Sequence, residues 1–542
     1  MLLLSILFWL IWMALSVYDL LFLLKYFQLD EYNPARFIRF LGKKWKIGLR
    51  FTEGISACLI MGLFVLLPDR LSPVIPLILA VGSMAVSFWL INKNQKTKVN
   101  KLVFTARLNR LAFLGLCWFL LASVLVFYPV IFSTSHVIKM DVYIRGMVFL
   151  LIFGMLTPIG IVIVNYALYP YEEISRQYYL RSARKIMDQV NPTVIGITGS
   201  YGKTTSKEIL AQILSQYYDV LRTPKSYNTL MGICKVIREE LKLHHQIFVV
   251  EMGAYKPGEI KNICALVHPG YGLLTAIGPQ HLERFKKIEN VIKAKGELID
   301  SLPVSGTAVI NADDSNCLQL AETTDRRVLR YGISNQSASD IYAEEIHVTS
   351  EGTEFQLVDR QANEKYTVRT HLLGQHNVLN MLGAILIARE NGINVKQSIQ
   401  AISTILPPPH RLNTARENGI IYIDDSYNSN PVGARMALEV LGNFTTDGRK
   451  ILVTPGFVEL GEKQDVEHEN LGKNAGQICD VIILVGSESR ISQIKKGVLS
   501  TEFNSEMVFR FDTLLDVKKF LGSFVNTGDV ILFENDLPDN YV

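Results

Sequence analysis

Cysteine is scarce in this sequence, and the six present, at 58, 117, 234, 264, 317 and 479, have no spacing that would ligate a metal. They read as reduced thiols, two inside apolar segments and four scattered through the remainder, which leaves no disulfide framework. Also missing are internal repeats and low-complexity linkers. No basic residue precedes the first apolar run and no small-residue cleavage pattern follows it, so that run does not read as a cleaved signal peptide. Net charge is small as well: the formal value is +4, with 49% hydrophobic residues. Those averages conceal two unlike halves. Before about residue 170, apolar runs alternate with Lys and Arg clusters; after it, charged and apolar residues mix in globular proportions.

Five segments have the composition of membrane spans, about 1 to 24, 51 to 68, 71 to 91, 111 to 132 and 146 to 168. The second is the shortest, and with the third it forms either two crossings or a re-entrant hairpin across "LPDRLSP". Seven Lys or Arg lie between Lys25 and Arg50 and six between Lys93 and Arg110, which orients both loops to the cytoplasm. Five crossings then place everything after about residue 170 in the cytoplasm of a multi-pass plasma-membrane protein. Asp19, inside the first run, is either a paired polar residue of the bundle or a carboxylate near its edge. The loop "RFIRFLGKKWKIGLR" has the composition of an interfacial helix facing anionic lipid; its position between apolar runs argues against nucleic acid as the partner.

Downstream, "YEEISRQYYLRSARKIMDQ" reads as a charged helix leading off the membrane. Strand-like runs "TVIGITG", "QIFVVEMG", "YGLLTAIG" and "GTAVINADD" alternate with helical stretches, the pattern of an α/β domain with a mostly parallel sheet. Residues 341 to 371 read as a small antiparallel extension. After "ILPPPHRL" the pattern restarts with "GIIYIDDSY", "RKILVTPG", "DVIILVG" and "DVILFEN". Three domains are expected: 1–170, a membrane bundle of about five helices; 171–406, a central nucleotide-binding domain; and 407–542, a second, Rossmann-like α/β domain.

The chemistry concentrates in "GITGSYGKTTSK". Gly199, Ser200, Tyr201, Gly202, Lys203, Thr204 and Thr205 follow a strand and open a helix, the context in which backbone amides and a lysine cradle phosphates. Thr204 can offer its hydroxyl to Mg²⁺, although the spacing is shorter than the general phosphate-loop form. Glu251 and His281 each fall at the carboxyl end of an expected strand, where parallel sheets gather their sites. A carboxylate suits Mg²⁺; the histidine on its own reads equally as structural.

These motifs, with "YNTLMGI", "HLERF", "VIKAKGELI", "LLGQHNVLNMLGA", "HRL" and "DDSYNSNPVGAR" in order, resemble the Mur ligase family, ATP-dependent amide-forming enzymes of cell-wall precursor synthesis. The resemblance covers roughly residues 192 to 533. It implies that Lys203 and Thr204 hold ATP and Mg²⁺, and that Glu251 and His281 position metal and acyl phosphate. It implies that Lys295 is carried as an N6-carboxylated carbamate, where the bare sequence would allow a solvated lysine. His376, Asn377 and Asn380 would line the adenine side; Arg411 and Asp424 would meet phosphate or ribose. Asn228 and Thr229 would touch the first substrate, and Asp425, Tyr427, Asn428, Asn430 and Pro431 the part that receives the second. Without the resemblance, Asp424 and Asp425 read as a solvated turn. The implied partners are a cell-wall precursor bearing a free carboxylate and an amino acid or dipeptide amine.

Two departures from the family pattern stand out. Soluble members begin with a domain that grips a uridine diphosphate sugar, and here apolar segments occupy that place. Near the end, "DVILFENDLPDN" puts Glu534, Asp536 and Asp539 where a Lys-Gly-Ser run is usual. The expectation is retained ATP-dependent ligation, on the family's uridine diphosphate-linked precursor or on a lipid-linked or membrane-proximal carboxylate, with a catalytically silent membrane scaffold as the alternative.

Overall fold

The computed structural model describes residues 2–30, 32–43, 51–66, 72, 74–93, 102–132, 136–224, 227–279, 282–349, 351–407, 410–426, 430–458, 460, 463–486 and 488–534. Contacts divide them into one unit ending at Ser175 and a second beginning at Arg176.

The first unit is helical: α1 (Leu2–Leu29), α2 (Pro34–Lys43), α3 (Phe51–Leu66), α4 (Val74–Lys93), α5 (Ala106–Phe132), α6 (His136–Met155) and the first part of α7 (Thr157–Val190). Among the described residues, Ile6–Leu29 of α1 and Ala106–Val126 of α5 are each long and apolar enough to cross a membrane. Thr52–Leu66 and Val74–Trp89 are shorter apolar helices, so the five expected spans are all helical but not all of spanning length. The fifth is not one helix. The chain bends by 66° between α6 and α7 at Leu156, where Thr157 Oγ1 donates to Gly154 O at 2.6 Å and Pro158 enters at the first turn of α7. The charged segment from Tyr171 is then a continuation of α7 rather than a separate helix, so the expected boundary at residue 170 falls within it.

Trp12 and Phe27 are fully buried in this unit, and Trp12 Nε1 donates to Leu150 O at 2.7 Å. Asp19 is buried at 1% exposure. Arg110 holds Glu172 at 2.7 Å and Arg107 donates to Asn165 at 3.1 Å, tying α5 to α7. In α2, Phe37 is buried while Ile38 and Arg39 are exposed; residues 44–50 of the expected interfacial segment lie outside the described residues.

The second unit contains two sheets. The first has nine strands in the order β2-β3-β1-β4-β5-β6-β7-β8-β9. They are β1 (Thr193–Thr198), β2 (Val220–Arg222), β3 (Ile247–Glu251), β4 (Tyr271–Leu274), β5 (Thr307–Asn311), β6 (Arg327–Gly332), β7 (Ile341–Thr349), β8 (Gly352–Asp359) and β9 (Glu364–Thr370). Strands β1 to β7 pair in parallel; β8 and β9 add the antiparallel extension. The parallel strands are apolar on both faces because helices cover both. One cover includes α9 (Leu230–Glu239), α10 (Glu259–Val267), α11 (Ile288–Asp300) and α12 (Ser315–Thr323), joined by Leu180, Ala183 and Met187 of α7. The other includes α8 (Lys203–Leu214), α13 (Gln375–Glu390) and α14 (Val395–Ile402). Since β2 and β3 lie on one side of β1 and β4 on the other, the order reverses beside β1, which is where such sheets open a crevice.

The second sheet is ordered β10-β11-β15-β12-β13-β14. Its strands are β10 (Asn413–Glu417), β11 (Ile420–Asp425), β12 (Lys450–Thr454), β13 (Val481–Val485), β14 (Val508–Phe511) and β15 (Val530–Glu534), parallel except β10. Helices α15 (Pro431–Asn443), α16 (Gln464–Ile478), α17 (Glu488–Leu499) and α18 (Leu514–Phe524) flank it. The chain passes from α14, ending at Ile402, to β10, beginning at Asn413. A second connection joins the domains. β7 is bulged between Glu344 and His347, with Glu345 at φ 50°, and beyond the bulge Val348 packs into the core of the second domain.

Candidate active site

At the end of β1, Thr198 Oγ1 donates to Met252 O at 2.9 Å, and the chain turns through Gly199–Gly202 into α8. Hydrogen bonds hold this loop to the segment after β4. Ser200 N donates to Ala276 O at 2.7 Å, Gly278 N donates to Ser200 Oγ at 3.0 Å, and Thr275 Oγ1 donates to Tyr201 O. Gly202 has φ 78° and no side chain caps α8, so its first amides remain available for an anion. Lys203 folds back over the loop, its Nζ donating to Gly199 O at 2.7 Å and Ser200 O at 3.1 Å. Burial lowers its ammonium to about 8, against the pull of Glu251 and with a further push from Arg411. Thr204 is half-buried beside it and Thr205 is buried. The Tyr201 ring lies over Gly278, and burial raises its hydroxyl above the usual range.

Glu251 closes β3 at 2% side-chain exposure and is gripped from both sides. Asn228 Nδ2 donates to Oε1 at 3.0 Å, and Lys207 Nζ lies 3.3 Å from Oε2. Thr229 accepts from Gly232 N at 3.3 Å as the cap of α9, so the hydroxyl expected on substrate is engaged in starting a helix. Lys295 is buried on α11. Its ammonium is pushed well below the ordinary lysine range, first by burial and then by Lys203, with Glu251, Glu259 and Glu297 opposing. His281 lies outside the described residues; the segment before it is pinned where Ile277 N donates to Asp314 Oδ2 at 2.8 Å.

At the start of α13, Asn380 Oδ1 accepts from Ser206 Oγ at 3.0 Å and Asn377 Nδ2 donates to Leu373 O at 2.8 Å. Asn380 therefore braces the phosphate loop from the helix behind it. Burial, then Arg411, lowers the His376 imidazole to about 4, so it is neutral at physiological pH.

On the second domain, His410 Nδ1 is 2.7 Å from Asp424 Oδ2, and Leu412 N donates to Asp425 Oδ1 at 3.2 Å. The two acids thus fasten the interdomain link rather than forming a solvated turn. Arg411 bears electrostatically on Lys203, His376 and Asp425 alike. Asn430 accepts from Gly433 N at 2.8 Å as the cap of α15, with Pro431 in the first turn. Tyr427 and Asn428 lie outside the described residues, as do Asp536 and Asp539. Glu534 is fully buried and faces Asp425 across parallel strands, sharing a hydrogen bond with it. The sequence places Glu534 at an acidic corner without indicating this partner, and it gives no sign of Lys207 at the site.

Burial raises Asp425 from 3.8 to about 6, with Arg411 and the hydrogen bonds opposing. The folded chain therefore retains a proton that the unfolded chain releases nearer 3.8, so this group's support for folding declines as pH rises between those values and stays low above about 6. Asp425→Asn is expected to improve in thermal stability relative to the parent as pH is raised through that window. A difference independent of pH would rule the shared proton out.

Residues 197–388 match the Mur ligase middle domain and residues 410–534 the Mur ligase glutamate ligase domain. The UDP-N-acetylmuramoyl-tripeptide:D-alanyl-D-alanine ligase of Escherichia coli K12 is 33% identical over 317 residues, 58% of this chain and 69% of that one. The enzyme of the same name from Mycobacterium tuberculosis CDC 1551 is 31% identical over 329 residues, covering 57% and 61%. Among solved structures, the MurF ligase of Thermotoga maritima in complex with ADP superposes with a TM-score of 0.59 at 27% identity, over 66% of this chain and 80% of its own. MurF from Acinetobacter baumannii gives 0.58 at 27%, over 66% and 76%.

Proposed function

This chain belongs to the Mur ligase family, and from that premise we propose that it joins a carboxylate to an amine at the expense of ATP, through an acyl phosphate, on a cell-wall precursor. The observation that carries the reading is the convergence of Gly199–Lys203, Glu251 and Lys295 at the carboxyl ends of β1 and β3. The substrate carboxylate attacks the γ-phosphorus, ADP leaves, and the amine displaces phosphate from the activated carbonyl. Lys203 and the open amides of α8 stabilise charge on the transferring phosphoryl group. Water must stay out while the acyl phosphate exists, which gives the second domain a reason to close through Arg411 and its link.

Mg²⁺ fits the residues present. Among the described residues no cluster of three or more His, Cys, Asp or Glu forms a cage, but one carboxylate and one hydroxyl stand beside the phosphate loop. A cation that takes most of its ligands from phosphate and water needs no more. Glu251 and Thr204 would hold it, with His281 and Lys295 nearby in the resemblance, and it would neutralise phosphate charge. Lys295 fits carboxylation too: burial shifts it toward the neutral amine, the form that captures CO₂. Carbon-13 NMR of protein equilibrated with labelled bicarbonate is expected to show one carbamate signal that Lys295→Arg removes; a signal unchanged in that variant would exclude the lysine.

For the substrate, the helical unit at the amino terminus favours a lipid-linked or otherwise membrane-proximal carboxylate over the soluble uridine diphosphate tripeptide, with the ligase domains in the cytoplasm. Full-length protein in nanodiscs, supplied with ATP, Mg²⁺ and either uridine diphosphate-linked or lipid-linked muropeptides, should form ADP and a new amide chiefly with the lipid-linked set. Efficient turnover of the soluble tripeptide would return the chain to the relatives' specificity.

A further inference from the structure

Lys207 has no part in the reaction as described, yet its surroundings are those of the site. Its side chain has 0% exposure, one helical turn beyond Lys203 on α8. Its Nζ lies 3.3 Å from Glu251 Oε2 and 3.4 Å from Glu208 Oε1. Glu208 is also paired with Arg222 at 2.7 Å. The opposite oxygen of Glu251 takes the Asn228 amide, and Glu251 N donates to Thr223 Oγ1 at 3.1 Å. Gly253 is shaped to this arrangement, since a Cβ there would stand 2.8 Å from the Asn228 side chain. The carboxylate is thus fixed in place and already neutralised.

A buried carboxylate without a counter-ion is costly and attracts any cation that can reach it. Glu251 has its counter-ion built in, and the described residues assemble no other group of acids or histidines able to hold a metal. Lys203 adds a second positive charge close by. We infer that Lys207 is a positioning residue that makes cation capture conditional on nucleotide. By neutralising Glu251 it denies a free divalent cation any purchase, so the cation is held only when ATP phosphates supply the missing negative charge. This rests on the reading that Glu251 is the cation's protein ligand.

The test counts free Mn²⁺ by electron paramagnetic resonance over full-length protein in nanodiscs, with and without ADP. Wild type is expected to bind Mn²⁺ tightly only with nucleotide. Lys207→Met should gain nucleotide-free Mn²⁺ affinity by about tenfold or more, because it removes the cation held 3.3 Å from the buried carboxylate. Adding Glu251→Gln to Lys207→Met should abolish that gain. A merely structural lysine would weaken binding when removed, not create it. Lys207→Gln, which keeps a donor without the charge, gives the same reading should the methionine variant fail to fold. Nucleotide-free affinity unchanged or lower in the folded lysine variant overturns the inference. If Glu251→Gln alone leaves nucleotide-dependent Mn²⁺ binding intact, the ligand assignment falls instead.

Discussion

Lys203→Met is expected to leave a folded protein that no longer makes ADP, with turnover lower by about 10³-fold or more, the scale on which a cation at a transferring phosphoryl group acts. The side chain is already poised, its ammonium resting on the two carbonyls at the mouth of the loop until phosphates replace them. The protein around it does not need that charge for folding, because the bonds holding the loop run through Ser200, Thr275 and Gly278. A coupled assay for ADP and a thermal melt together check this; a variant that melts normally and still turns over would remove Lys203 from the mechanism. The same residue sets a pH dependence. With its ammonium at about 8 in the free enzyme, ATP affinity should hold steady below that pH and weaken above it, approaching tenfold per pH unit as the binding form is lost. Lys203→Arg, charged throughout, should flatten the profile.

Gly199→Ala should be nearly as damaging by a different route, lowering nucleotide affinity by about 100-fold or more, or about 3 kcal/mol. A Cβ at 199 would overlap Thr275 Oγ1 and crowd the backbone of Ala276, whose O would be 3.0 Å away and N 3.1 Å. Neither backbone atom can retreat without moving the segment that holds the loop. Gly202→Ala offers the instructive contrast. Its Cβ would overlap Asn380 Oδ1, a side-chain atom, while φ 78° adds backbone strain. Pairing it with Asn380→Ala should recover part of the lost affinity, whereas no single partner substitution should rescue Gly199→Ala. Isothermal titration with ADP decides both; full affinity in Gly199→Ala would mean that this loop is not the phosphate cradle.

The phosphate loop was legible because its signal is local: a strand, two glycines and a lysine within a dozen residues. The alternation of apolar runs with helices likewise disclosed the parallel strands of both sheets. Short strands such as β2, β10 and β14 escaped, since a few residues with mixed polarity look like loop until a neighbour pairs with them. The break before α7 was written in "LTPIG", but a long apolar run conceals a proline that can start a helix as well as end one. Lys207 carries no motif signal of its own, because a lysine one turn along a mixed-polarity helix shows its burial only once the helix is packed on the sheet. The Asp425–Glu534 pair had none, because residues far apart in the chain meet only through the strand register. Thr229 and Asn430, in motifs expected to contact substrate, are also helix caps, a second role that their residue types alone allow.

Val348 has a mechanical implication. A domain attached only through the segment at Arg411 would swing about that point in any direction, like a ball on a string. The second domain is also met by Val348 at the tip of β7 and by Leu373 ahead of α13, both packed with its core, so the contact beside the link is a surface that resists free rotation. Productive alignment of the two substrates would then come from geometry fixed in the resting protein, with little searching left for the ligands to direct.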